Sequence, residues 1–178
     1  KAEQTMMLAK TVSRNQFQFY VASVDSEMRE RKLLEKDLSE AINKNEFHLV
    51  YQPQISYHTG SIIGAEALLR WVHPSRGFVP PDLFIPIAEA NKSIIEIGRW
   101  VLEQSCQQIS QWEKMGYDLK VAVNFSAVQI KDSAIDSLIF STLKRFDVQP
   151  EHLEVEITET GFMENMDQAV ATLSAIQN

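Results

Sequence analysis

An α/β fold with a parallel sheet is what the sequence predicts, and three observations carry it. Four β-rich segments, Phe47–Gln52, Ile62–Trp71, Val121–Phe125 and Leu153–Thr158, alternate with segments of helical period, the order expected of βα units. Within these strands apolar and polar residues largely alternate with period 2, which gives each strand one face for a core. The composition, 44% hydrophobic and 23% charged over 178 residues, is that of a globular domain and excludes disordered and fibrous classes.

The elements follow in order. A short helical stretch around Met6–Lys10 precedes Phe17 and Phe19, whose spacing is that of a half-buried strand. From Asp25 to about Asn45 the chain is heavily charged, with Leu34, Leu38, Ala41 and Ile42 at helical spacing. This reads as a connecting helix or as a solvated surface helix. Phe47–Gln52 is a strand expected to end at Pro53, which cannot donate to a ladder. His58-Thr59-Gly60 is a turn into the long strand Ile62–Trp71, and residues 72–82, with Pro74, Gly77, Pro80 and Pro81, read as a loop. A helix from Pro81 or Asp82 to Ala90 precedes a longer one over about Ser93–Met115, which Gly116 is placed to end in the left-handed conformation. After Val121–Phe125, a helix over Ser133–Phe146, the strand Leu153–Thr158 and a helix over Asn165–Gln177 complete the chain.

Charge and cysteine content narrow the function. Twenty-four acidic against 17 basic side chains give a net charge of −7, which argues against a polymeric nucleic-acid or membrane-surface binder. A small anion bridged by a metal stays open. Apolar runs fall far short of the ~20 residues of a membrane span. Cys106 is the single cysteine and fits a reducing compartment. Lys1 in place of Met predicts that the chain begins inside a longer protein.

Three strands carry polar residues on one side. In Ile62–Trp71, Glu66 and Arg70 share a face, roughly 13 Å apart at ~3.3 Å per residue. They either line a cavity that holds something between them or form an ion pair or solvent face. In Val121–Phe125, Asn124 (with Ser126 beyond it) lies opposite apolar residues, and a buried Asn needs partners or a ligand. In Leu153–Thr158, Glu154, Glu156 and Thr158 face one way: a solvated edge strand, or carboxylates made tolerable by a hard divalent cation. His48, His58, His73 and His152 show no metal-ligand spacing, and there is no Gly-rich phosphate loop, Cys–His pair or Gly-x-Ser-x-Gly elbow. Hydride transfer on a Rossmann fold and serine hydrolysis drop out.

Five segments together resemble a known family. Val50-Tyr51-Gln52-Pro53, Glu66-Ala67-Leu68-Leu69-Arg70-Trp71, Phe84-Ile85-Pro86-Ile87-Ala88-Glu89, Val123-Asn124-Phe125-Ser126 and Glu156-Ile157-Thr158-Glu159-Thr160 stand in the order of the EAL domains, the cyclic di-GMP phosphodiesterases. Met7-Leu8-Ala9-Lys10 with Arg14-Asn15-Gln16-Phe17 resembles the end of a GGDEF (diguanylate cyclase) domain, with Ser13 where that family has Gly. The resemblance implies residues 1–20 as the tail of a GGDEF-like domain, 21–45 as a linker helix and 46–178 as the first half of an EAL domain. It implies a TIM-type (β/α)₈ barrel with one antiparallel strand, about half of which is present. The implied activity is hydrolysis of cyclic di-GMP to linear pGpG with one or two Mg²⁺ or Mn²⁺ ions.

Carried over residue by residue, the resemblance makes Glu66, Asn124 and Glu156 metal ligands, with Glu66 also catalytic. It makes Arg70 the grip on a substrate phosphate and Gln52 a substrate contact. Glu159 becomes the carboxylate anchoring a loop near the metal, counted with the catalytic residues. The family's Asp-Asp motif and catalytic lysine follow Glu159 by tens of residues, beyond Asn178, so the 178 residues alone are expected to be inactive. The competing expectation is a catalytically silent EAL domain that serves as a cyclic di-GMP receptor or protein-interaction module. Expected partners are cyclic di-GMP, an upstream GGDEF-like domain and a second copy in a homodimer, with no membrane contact from this segment. The expected location is the cytoplasm, including the cytosolic part of a larger membrane-anchored sensor.

Overall fold

The computed structural model describes residues 22–157. The expected helix at Met6–Lys10, strand at Phe17–Phe19, helix at Asn165–Gln177 and the residue Glu159 lie outside them. Helix α1 (Ala22–Ala41) leads into β1 (Phe47–Ile55), β2 (Ile62–His73) and the short β3 (Gly77–Val79). Two helices, α2 (Pro81–Ala90) and α3 (Ile94–Lys114), connect to β4 (Lys120–Phe125). A single turn, α4 (Ala127–Ile130), then α5 (Ile135–Phe146) and a 3₁₀ turn (Pro150–His152) connect to β5 (Leu153–Ile157).

The strands lie in the order β1-β2-β4-β5, with β3 on β2. The pairs β2–β4 and β4–β5 are parallel, each joined by a helical crossover, and β1–β2 and β2–β3 are antiparallel hairpins. Among the described residues the sheet is open, with β1 and β5 at its edges. A barrel would pair those edges through further strands.

Apolar residues at alternate strand positions make one sheet face. Ala67 and Trp71 of β2, and Val121, Val123 and Phe125 of β4, are buried in one core with Ile97, Val101, Leu102 and Ile109 of α3 and Ile139 and Leu143 of α5. Each large side chain so buried contributes about 1.5–3 kcal/mol. At the end of β2 the rings of Phe47, Trp71 and Phe84 meet at 5.5–5.9 Å between centroids. The Trp71 indole N–H donates to Glu46 Oε2 at 2.9 Å, which satisfies both buried groups.

Four sequence expectations are corrected. Strand β1 runs through Pro53 to Ile55, with Pro53 opposite Ala65. Among the described residues β1 is an edge strand, where a proline's missing N–H costs no ladder bond when it points outward. Residues 72–82 are more than a loop: β2 continues to His73 and folds back through β3, so a second strand is antiparallel to β2. Gly77, at φ +70°, makes that tight return. The helix read over Ser133–Phe146 begins only at Ile135, and the separate turn α4 stands ahead of it. Finally, α1 is not a wholly solvated helix. Leu34, Leu38 and Ala41 join the core, and Arg76 bonds Glu30 and Asp37 at 2.8 and 3.4 Å.

Candidate functional site

The second face of the sheet is polar, and strand register decides what meets on it. Gln52 pairs with Glu66, Glu66 with Ala122, and Ala122 with Glu154, so these four form one row across β1, β2, β4 and β5. At ~4.8 Å per strand the row spans about 14 Å. Two residues further along β4 and β5, Asn124 pairs with Glu156, at the carboxyl ends of parallel strands. That end of a parallel sheet is where ligands bind in α/β folds, because the crossover loops open there.

Within this face Asn124 Nδ2 donates to Glu66 Oε1 at 2.6 Å, bringing together side chains 58 residues apart. Ala122 beside them carries only a methyl group, so no side chain separates Glu66 from the β5 carboxylates. Burial raises the pKa of Glu156 above 4.5, and the charges of Glu66 and Glu154 push it the same way. Carboxylates crowded on one face favour a bound cation or a proton. The donor set of Glu66, Glu156 and Asn124 offers hard oxygens, the kind Mg²⁺ and Mn²⁺ take. It fits such an ion, although among the described residues no three His, Cys, Asp or Glu side chains close on one point.

Arg70 lies on the same strand face as Glu66, at the far end of β2. Its guanidinium donates to the carbonyl of Leu69 at 3.0 Å. Arg70 and Asn124 also line a recess of about 240 Å³ between α2, α3 and the ends of β2 and β4, together with Ile85, Glu89, Val101 and Gln129. The structure therefore gathers Gln52, Glu66, Arg70, Asn124 and Glu156 on one face. Glu159 lies outside the described residues.

Other polar groups serve elsewhere. His152, the last residue of the 3₁₀ turn before β5, contacts Glu113 through Nδ1 and Asp118 through Nε2 at 2.8 Å, at the end of the strand remote from Glu156. His73 supports the β2–β3 turn, accepting Ser75 N–H at 3.3 Å. Sequence reading missed Gln129 and Gly98, which line the recess beside Asn124. The signal available was a glycine inside the apolar period of a helix, which marks close packing.

Comparison with known proteins adds to this geometry. The family model described as EAL domain matches residues 35–178. The chain is 38% identical over 176 residues to signaling protein YkoW of Bacillus subtilis, covering 99% of this chain and 22% of that protein. It is 35% identical over 176 residues to the bifunctional diguanylate cyclase/cyclic di-GMP phosphodiesterase MucR of Pseudomonas aeruginosa, covering 98% of this chain and 26% of that one. Among solved structures, a MucR phosphodiesterase in complex with c-di-GMP superposes with TM-score 0.78 at 36% identity, over 82% of this chain and 59% of that one. The FimX EAL domain from Pseudomonas aeruginosa bound to c-di-GMP gives 0.74 at 26% identity, over 81% and 57%. The chain thus spans about a quarter of the length of these curated relatives.

Proposed function

Because this chain belongs to the EAL-domain family, we propose that the protein carrying it hydrolyses cyclic di-GMP to linear pGpG with Mg²⁺ or Mn²⁺, in second-messenger signalling. One observation carries the proposal beyond family membership: Asn124 and Glu66 are in contact, with Glu156 opposite Asn124, at the carboxyl ends of parallel strands.

Glu66, Asn124 and Glu156 would hold the cation through their side-chain oxygens. When bound, the ion supplies Lewis acidity toward a phosphate oxygen and lowers the pKa of a water. Arg70 would leave the Leu69 carbonyl for a substrate phosphate, since its planar fork matches two phosphate oxygens. Gln52, in the same row as Glu66, would contact the substrate alongside the metal residues. Glu159 is proposed to anchor a loop near the metal. A homodimer is proposed as the assembly.

The same reading extends to architecture. Strands beyond this chain would close the open sheet into a TIM-type barrel and place the polar face inside it. Residues 1–20 are proposed as the tail of a GGDEF-like domain and 21–45 as the helix leading into the EAL domain. The match of nearly the whole chain to the bifunctional MucR supports this. A cytoplasmic site of action accompanies the proposal. The free, buried Cys106 suits a reducing compartment, and no described helix is long and apolar enough to cross a membrane.

The test incubates the intact protein with cyclic di-GMP and Mn²⁺ or Mg²⁺ and separates products by chromatography. Metal-dependent appearance of pGpG, lost in Glu66→Ala, is the expected result. Tight binding of cyclic di-GMP with no turnover under any divalent metal would instead establish the receptor reading.

A further inference from the structure

Helices α3 and α4 meet through a glycine on one and an amide on the other. A Cβ added to Gly98 would lie 1.7 Å from Gln129 Nε2 and 2.9 Å from its Cδ, so the Gln129 amide fills the space any other residue at 98 would claim. Gln129 is only 4% exposed. Its Oε1 accepts the backbone N–H of Ser126 at 2.9 Å. Ser126 is the residue where β4 ends and α4 begins, two positions after Asn124. β4 ends at Phe125, the last β4 residue paired with β5 among the described residues, and this side-chain bond helps fix how the chain leaves the strand. The amide has little freedom to relocate, because a buried polar group without a partner costs about 1–3 kcal/mol.

We propose that Gln129, seated against Gly98, is a positioning residue that holds the end of β4 so that Asn124 meets Glu66, and thereby sets the affinity of the cation site. The proposal rests on the reading of Glu66, Asn124 and Glu156 as metal ligands. It assigns a task to a contact that lines the same recess as Asn124. Partners in the outer shell of a metal site typically change affinity by ~10–100-fold when removed.

The test titrates Mn²⁺ into the intact protein and follows the free-ion signal by electron paramagnetic resonance, which requires no turnover. Gly98→Ala and Gln129→Ala should each weaken Mn²⁺ binding by about 10-fold. The double variant should be no weaker than Gln129→Ala alone, because the added methyl then has no amide to displace. Gln129→Ala creates space and guards against a Gly98→Ala protein that fails to fold. Wild-type Mn²⁺ affinity in Gln129→Ala, or losses that multiply in the double variant, overturns the proposal. Asn124→Ala separates the two levels of failure. If it loses Mn²⁺ while Gly98→Ala and Gln129→Ala do not, the positioning role alone is wrong. If Asn124→Ala binds Mn²⁺ as tightly as wild type, the ligand reading falls and takes the positioning role with it. The expected binding pattern in a protein that leaves cyclic di-GMP intact would uphold the positioning role and refute the hydrolase reading.

Discussion

Replacing Trp71 by Phe should be among the costliest single substitutions outside the polar face. Trp71 is fully buried, and its indole N–H meets Glu46 Oε2 at 2.9 Å in a region where Glu46 is itself buried. Removing the donor forfeits a hydrogen bond to a carboxylate, about 1.5–3 kcal/mol. Loss of the larger ring against Phe47 and Phe84 adds about 1 kcal/mol. The sum of ~2.5–4 kcal/mol, at ~2–4 °C per kcal/mol for a domain of this size, lowers the thermal midpoint by about 5–15 °C. Glu46→Gln retains an acceptor and should cost only ~0.5–1.5 kcal/mol. Removing both polar partners in Glu46→Leu/Trp71→Phe should recover part of the loss, because no buried group is then left unpaired. Circular dichroism during heating of the intact protein measures all four forms. A Trp71→Phe midpoint within about 2 °C of wild type would refute the assignment of this bond to the core.

Further outcomes are expected. Gly64→Ala would set a methyl 2.8 Å from the Lys120 carbonyl and 3.0 Å from Gln54 Oε1, so it should destabilise by about 1–3 kcal/mol in urea titrations; an unchanged midpoint contradicts this. Arg70→Lys keeps the charge and loses the planar fork, so calorimetry in metal-free buffer should show cyclic di-GMP binding weakened about ten-fold, the worth of ~1.4 kcal/mol. Equal dissociation constants would count against Arg70 as the phosphate contact. For His152, burial opposes the charge, but hydrogen bonds to Asp118 and Glu113, with their charges, outweigh it and hold the pKa above 6.5. A raised folded pKa contributes stability that is complete below pH 6.5 and is lost as pH rises through the folded value. Wild type should therefore lose more stability between pH 6 and pH 9 than His152→Gln; parallel curves would show that the cluster does not act as a charge pair.

Local pattern alone located four of the strands, their alternation and which residues face away from the core. Period 2 in Ile62–Trp71, Val121–Phe125 and Leu153–Thr158 put Glu66, Arg70, Asn124 and Glu156 on polar faces, because side-chain direction along a strand is a local property. Helix α3 and its end at Gly116 were equally legible, since period and a left-handed stop are local too, and Gly116 has φ +83°. What sequence could not decide was which rows meet. The Asn124–Glu66 bond depends on β4 pairing in parallel beside β2, a register set by packing of α3 and α5 against the other face. Pro53 within β1 and the return strand β3 escaped sequence reading for a related reason. Whether a proline ends a strand depends on whether its missing N–H falls where a neighbouring strand needs a ladder bond, which pairing decides, and the three residues of β3 are held by β2 more than by their own propensity. Gly98 reads in sequence as a mild helix weakness, yet in the fold its missing side chain is the seat of Gln129. Steric fit between residues 31 positions apart is a property of the tertiary structure alone, because no local period encodes which helix will lie against which.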